Sequence, residues 1–291
     1  MSFDSIDSLE AALGEQGYLP DRGLATALFL SLTLDKPLLL EGEAGVGKTE
    51  AAKAVAAALG ARLIRLQCYE GLDVAHAVYE WNYARQLLHI RAAQEGTVVE
   101  AELYGPEYLI RRPLLEAVEC EEDVVLLIDE IDRAVEEFEA FLLEVLSDFQ
   151  ITIPELGTVS AARKPHAILT SNRTRELHDA LKRRCLFHWI GHPSLEREIE
   201  IVHLRVPGVP EKLAAEAAAF VRGLRGLDLA KPPGVAETID WTRALAALGK
   251  DELDAATVEA TLGSVLKYHE DVEAVRDETL QGLLAEARSA G

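Results

Sequence analysis

Cysteine is scarce in this sequence, with three in 291 residues. Cys68, Cys120 and Cys185 lie far apart and form no CxxC pair, which excludes a disulfide framework and a cysteine-based zinc site. Basic residues are also few: 29 Lys and Arg stand against 50 Asp and Glu, a formal charge of −21. Phosphate backbones repel such a chain unless its cations cluster, so nucleic acid starts as a disfavoured partner. The acidity fits solubility or recognition of a basic protein surface. Long apolar runs are missing too. The longest, Leu24 to Leu34, is broken by Thr26, Ser31 and Thr33 and then meets Asp35-Lys36. That is well short of the ~20 apolar residues of a membrane span, so no integral membrane segment is expected. Met1-Ser2-Phe3-Asp4 has no basic n-region, so no signal peptide is expected and the reading is cytoplasmic.

What remains is ample for a folded core. Hydrophobic residues make up 49% of the chain, and its length favours two domains. Five short apolar runs predict strands: Pro37–Glu41, Arg62–Cys68, Val124–Ile128, His166–Thr170 and Leu186–Ile190. Runs of that length, rich in Leu, Ile and Val, suit strands buried on both faces of a parallel sheet. Helical patterns between them imply an α/β sandwich. Beyond Ser194, which can cap a helix carrying Glu196 in its first turn, strand signals stop. Alanine-rich helical patterns follow at 211–224, 237–248, 255–268 and 271–290. The expected organisation is therefore an α/β domain over 1–193 and an all-helical domain over 194–291.

Gly42-Glu43-Ala44-Gly45-Val46-Gly47-Lys48-Thr49 fits the GxxxxGK[ST] phosphate-loop pattern, with a strand before it and a helix-forming stretch to Leu59 after it. The glycines let backbone N–H groups turn inward onto phosphate oxygens, and the helix N-terminus adds positive potential. Lys48 would reach the β- and γ-phosphates, and the Thr49 hydroxyl would ligate Mg²⁺. Val124 to Ile128 is an apolar strand ending in Asp129-Glu130. Its tip belongs at the ligand-binding edge of a parallel sheet. There Asp129 would hold the metal, and Glu130 would polarise the attacking water. The plainer alternative is that both acids merely open the next helix. Asn172 ends the following strand; its amide fits either a water-holding role or a simple turn.

With these elements in this order, the chain resembles the AAA+ ATPases, and among them the MoxR-type group. The resemblance implies a parallel five-stranded sheet flanked by helices, a C-terminal helical lid, and ATP and Mg²⁺ as ligands. Asn172 stands where the family has its sensor-1 residue. Ala180 to Cys185 matches the arginine-finger segment, with Cys185 in place of an aromatic residue, so Arg183 and Arg184 both stay candidates. Arg243, in Thr242-Arg243-Ala244, falls where the family has its sensor-2 arginine, although the usual Ser-Pro-Arg form is absent. The strings Gln67 to Asp73 and Tyr79 to Leu88 look like the CoxD-like branch that accompanies carbon monoxide dehydrogenase genes. That likeness implies a hexameric ring, a molybdenum hydroxylase as protein client and a von Willebrand factor A domain partner. It also implies two insertions, a loop around Gly96 to Gly105 and a hairpin over 150–158.

Other features have plainer readings. His188 and His192 flank Trp-Ile-Gly without a third ligand, which fits core or rim histidines better than a metal site. Tyr79, Trp81 and Tyr83 fit packing on the core better than stacking on a partner. Between Ser160 and Arg184 the chain is net +5, which suits either a nucleic-acid patch or a subunit edge facing a neighbour's triphosphate. Two other functions compete with a protein-remodelling ATPase. One is a nucleic-acid motor or loader on the same fold; the other is a nucleotide-gated switch that hardly hydrolyses ATP.

Overall fold

The computed structural model describes residues 3–92 and 103–290. Most of the expected loop at 96–105 lies outside them. The chain divides into two compact units. The first comprises Met1–Gln16, Pro20–Glu41 and Thr49–Trp189; the second comprises Gly17–Leu19, Gly42–Lys48 and Ile190–Gly291.

In chain order the first unit begins with helices α1 (Ile6–Glu15) and α2 (Arg22–Leu34), capped by Ser5 and Asp21. Strand β1 (Leu38–Gly42), helix α3 (Lys48–Leu59) and strand β2 (Arg62–Gln67) follow. Next come α4 (Val74–Val78), β3 (Tyr79–Trp81), α5 (Tyr83–Ala92), β4 (Leu109–Arg111) and α6 (Pro113–Glu119). Strand β5 (Val124–Asp129), helix α7 (Glu136–Asp148), the pair β6 (Gln150–Ile153) and β7 (Gly157–Ser160), β8 (His166–Ser171), α8 (Asp179–Arg184) and β9 (Leu186–Ile190) complete it.

Five of these strands form a sheet in the order β2-β5-β8-β1-β9. The pairs β2–β5, β5–β8 and β1–β8 are parallel, as the α/β reading requires. All six residues of β5 are buried, as in an interior strand with both faces covered. Strand β2 departs from expectation. It lies at a sheet edge, and Arg62, Arg65 and Gln67 are exposed while Ile64 and Leu66 are buried. From Ile64 to Gln67 burial alternates as in a strand with one polar face, carried by Arg65 and Gln67, while Arg62 at the strand's start is out of that phase. Strands β6 and β7 pair antiparallel with Ile153 opposite Gly157, which is the expected hairpin. Strands β3 and β4 form a second antiparallel pair that the sequence reading did not include. Trp81 is buried and meets Tyr104 edge-on at 5.1 Å, Tyr79 packs against the same core, and Tyr83 is exposed.

The second unit is helical: α9 (Leu195–Arg205), α10 (Glu211–Arg225), α11 (Val235–Ala247), α12 (Ala255–Val265), α13 (His269–Ala274) and α14 (Glu278–Ala290). Ser194 caps α9 by accepting the Arg197 N–H. The pattern over 271–290 reads as one helix but forms two, and Asp277 between them is left-handed at φ 59°. Trp241 is fully buried against Phe220, and its indole N–H reaches Thr261 Oγ1 at 2.8 Å. A buried pair fixes the start of α11. Arg225 donates to both oxygens of Glu198 at 2.6 and 2.7 Å and to the Pro233 carbonyl, while Thr238 donates to Glu198 at 2.6 Å. Each charge is matched, so neither is left unpaired in the interior.

Candidate active site

Within the first unit the site grows from the C-terminal tip of β5. Asp129 is 1% exposed, yet both its oxygens are engaged. The hydroxyl of Thr49, in the first turn of α3, lies 3.0 and 3.2 Å from Oδ1 and Oδ2. Thr170 on β8 donates to Oδ1 at 2.5 Å. Arg65 on β2 donates to Oδ2 from Nε at 3.0 Å and from Nη2 at 2.5 Å. Three elements other than β5 therefore converge on one buried carboxylate.

Glu130 follows in a left-handed conformation, φ 56° and ψ 49°. A non-glycine residue held there is uncommon and needs support. Thr170 supplies it: its Oγ1 accepts the Glu130 N–H at 2.9 Å. The Glu130 carboxylate pairs with Arg133 at 3.0 Å and stays partly exposed. Asp132, 2% exposed, ties this turn to the end of β8. It accepts the Asn172 N–H at 3.2 Å, the Thr174 N–H at 2.8 Å and the Thr174 hydroxyl at 2.7 Å. Asn172 and Glu130 are thus placed by two cross-links between the same two segments. Burial, with help from the carboxylates of Asp129, Asp132 and Glu130, pushes the Cys68 thiol up to about 12. It is no nucleophile near neutral pH. Cys185 is pushed up to about 12 by burial alone.

The loop Gly42–Lys48 belongs to the second unit. Lys48 is buried, and its ammonium donates to the carbonyls of Gly42 at 2.7 Å and Glu43 at 2.6 Å, drawing the loop around a positive charge. A Cβ on Gly42 would lie 2.3 Å from the Ile190 carbonyl oxygen, so no other residue fits there. Gly45, at φ +79°, leaves room for the start of α11: its carbonyl accepts the Ala236 N–H at 3.2 Å, and a Cβ would sit 2.8 Å from Glu237 Oε2. Glu43 and Ala44 are exposed, and Val46 is buried.

The remaining sequence candidates are placed as follows. Arg183 and Arg184 end α8, exposed, with no side-chain hydrogen bond or ion pair among the described residues. Arg243 sits half-exposed on α11 and donates to the Arg205 carbonyl at 2.9 Å and to Asp240 at 3.4 Å. The contact of α11 with the loop is at its other end, about 10 Å back along the axis at 1.5 Å per residue. The structure therefore does not bring Arg243 to the loop. His188 lies 3.9 Å from Asp21, and His192 bonds Glu43 at 3.0 Å. Sequence reasoning missed Arg65, Thr170 and Asp132. None of the three left a signal of its own, since Arg65 stands in a strand that also carries Arg62 and Gln67.

A phosphate loop, an acidic strand tip and a polar neighbouring strand on a five-stranded parallel sheet define a P-loop nucleotide-binding protein. The chain belongs to the AAA domain family, dynein-related subfamily, whose model matches residues 37–185. It is thus an AAA+ ATPase by family. Among solved structures it is similar to two point-mutant forms of Thermotoga maritima RuvB, each at 18% identity. The first has a TM-score of 0.50, covering 89% of this chain and 71% of that one; the second has 0.51, covering 90% and 72%. At that identity the likeness speaks for the fold alone. No curated protein matches the chain significantly in sequence.

Proposed function

We propose that the chain hydrolyses ATP in a homo-oligomeric ring and uses the energy to remodel or mature a protein client. The observation that carries the reading is the Thr49 hydroxyl resting on the buried Asp129 carboxylate. These are the two oxygen groups a hard divalent cation needs from the protein, and they are already adjacent. Mg²⁺, when bound there with ATP, supplies charge neutralisation for the β- and γ-phosphate oxygens. The N–H groups of Gly42 to Lys48 would cradle the phosphates, and the Lys48 ammonium would exchange its loop carbonyls for phosphate oxygens. Glu130 would take the proton of the attacking water, with the Asn172 amide orienting that water. Arg183 or Arg184 would reach a neighbouring subunit's γ-phosphate. Arg243 would serve as sensor 2 only in a conformation in which it leaves Arg205 and Asp240.

The client class rests on charge and on the motif strings. A surface of −21 favours a protein over a nucleic acid. The likeness of Gln67 to Asp73 and Tyr79 to Leu88 to the CoxD-like branch of MoxR-type ATPases supports a molybdenum hydroxylase of the carbon monoxide dehydrogenase type. A von Willebrand factor A domain protein is the accompanying partner, and the ring is hexameric. Steady-state turnover tests this choice. Addition of the unmatured hydroxylase with its von Willebrand factor A domain helper is expected to raise turnover several-fold, and double-stranded DNA to leave it unchanged. DNA stimulation that fades steeply with salt would instead make the chain a nucleic-acid motor.

A further inference from the structure

Arg65 is the residue at the site that the proposed chemistry leaves without a role. Its guanidinium sends Nε and Nη2 to the same oxygen, Asp129 Oδ2, at 3.0 and 2.5 Å. The other oxygen already accepts Thr170. A carboxylate that is 1% exposed needs such compensation, because an unpaired charge in the interior is strongly destabilising. The same arrangement obstructs a metal. An ion approaching Asp129 by itself must displace the guanidinium from Oδ2 and then sit a few ångströms from its positive charge.

We propose that Arg65 makes divalent-cation binding at Asp129 conditional on the nucleotide. This rests on the assignment of Asp129 as a metal ligand. In the nucleotide-free chain the guanidinium holds Oδ2 and repels a free dication. A triphosphate brings several negative charges and reverses the sign of the local field, so metal and nucleotide enter together. Two features give Arg65 somewhere to go. Strand β2 lies at the sheet edge, and the arginine side chain is 45% exposed, so its outer side is unconfined. Gln67, on the same face of the same strand, already accepts from Nη2 and offers a resting partner when Asp129 turns to the metal. Arg65 is therefore a positioning residue, acting on the reaction through Asp129.

Mn²⁺ is the probe, with free ion counted by electron paramagnetic resonance against the full chain without nucleotide. Arg65→Ala and Arg65→Gln are expected to tighten nucleotide-free Mn²⁺ binding by at least about tenfold, the scale of removing one cation beside a partly buried dication site. The gain should vanish when Asp129→Asn is added. Arg65→Lys, which keeps the charge, should stay near the parent. Both neutral variants are checked by circular dichroism, and either one that folds carries the test. Nucleotide-free affinity within twofold of the parent in a folded neutral variant would overturn the proposal. So would a gain that survives Asp129→Asn, or an equal gain in Arg65→Lys. The underlying assignment is read separately. If Asp129→Asn leaves Mn²⁺ binding in the presence of a non-hydrolysable ATP analogue intact, Asp129 is not the ligand.

Discussion

Glu130→Gln is expected to lower steady-state ATP turnover by about 10²–10⁴-fold while ATP binding stays close to that of the parent. The amide keeps the size and most of the contacts of the carboxylate but cannot accept a proton from water. The local structure makes this a clean experiment. Glu130 is held in its left-handed turn by its backbone N–H on Thr170, not by its side chain, so the replacement leaves the turn supported. The side chain gives up only a partly exposed pair with Arg133, which is worth little to stability. Turnover is read by phosphate release and binding by calorimetry. Turnover equal to the parent's would place the base elsewhere.

Replacing Arg183 and Arg184 together by Ala is expected to cost about 10³–10⁵ in turnover, the range for a cation supplied in trans to a transferring phosphoryl group. Nucleotide affinity should hardly change. Both side chains are exposed at the end of α8 and make no ion pair among the described residues, so their removal breaks no internal contact there. This separates them from Arg175. That residue is also in the basic stretch, but it pairs with buried Glu139 and donates to the Ala134 carbonyl at 2.5 Å. A structural arginine and two free ones stand within ten residues. The in-trans assignment has a second consequence. A mixture of the double variant with Lys48→Ala should recover activity that neither has alone, because an intact phosphate loop then meets an intact finger. Turnover that is independent of protein concentration would remove the assignment.

How much of this was legible in the sequence follows from the range of the interactions. The phosphate loop is a contiguous string, and its glycines are dictated by backbone approach at Gly42 and Gly45, so it could be read directly. Asp129 and Glu130 stood out as two acids at the end of an apolar strand, a pattern that acids opening the next helix would also give. The hairpin at β6 and β7 showed its alternation. Arg65 was not legible as a site residue. It meets Asp129 across 64 positions, and only the sheet order, which puts β2 beside β5, makes them neighbours. Thr170 and Asp132 were hidden for the same reason, each acting 40 or more residues away. The reading of β2 as buried on both faces failed because apolar content alone does not tell an edge strand from a central one; the alternation of Ile64, Arg65, Leu66 and Gln67 did. The 271–290 helix broke at Asp277 because composition favoured helix throughout and nothing local marked the left-handed residue.

The most direct measurement of the central claim is a calorimetric titration of the full chain with ATP in the presence of Mg²⁺, parent against Lys48→Ala. The Lys48 ammonium is buried in the loop and bonded to the carbonyls of Gly42 and Glu43, so its loss removes the charge around which the loop closes. The account predicts saturable binding to the parent and no measurable binding to a Lys48→Ala chain that is still folded. Equal ATP affinity in the two proteins would contradict it.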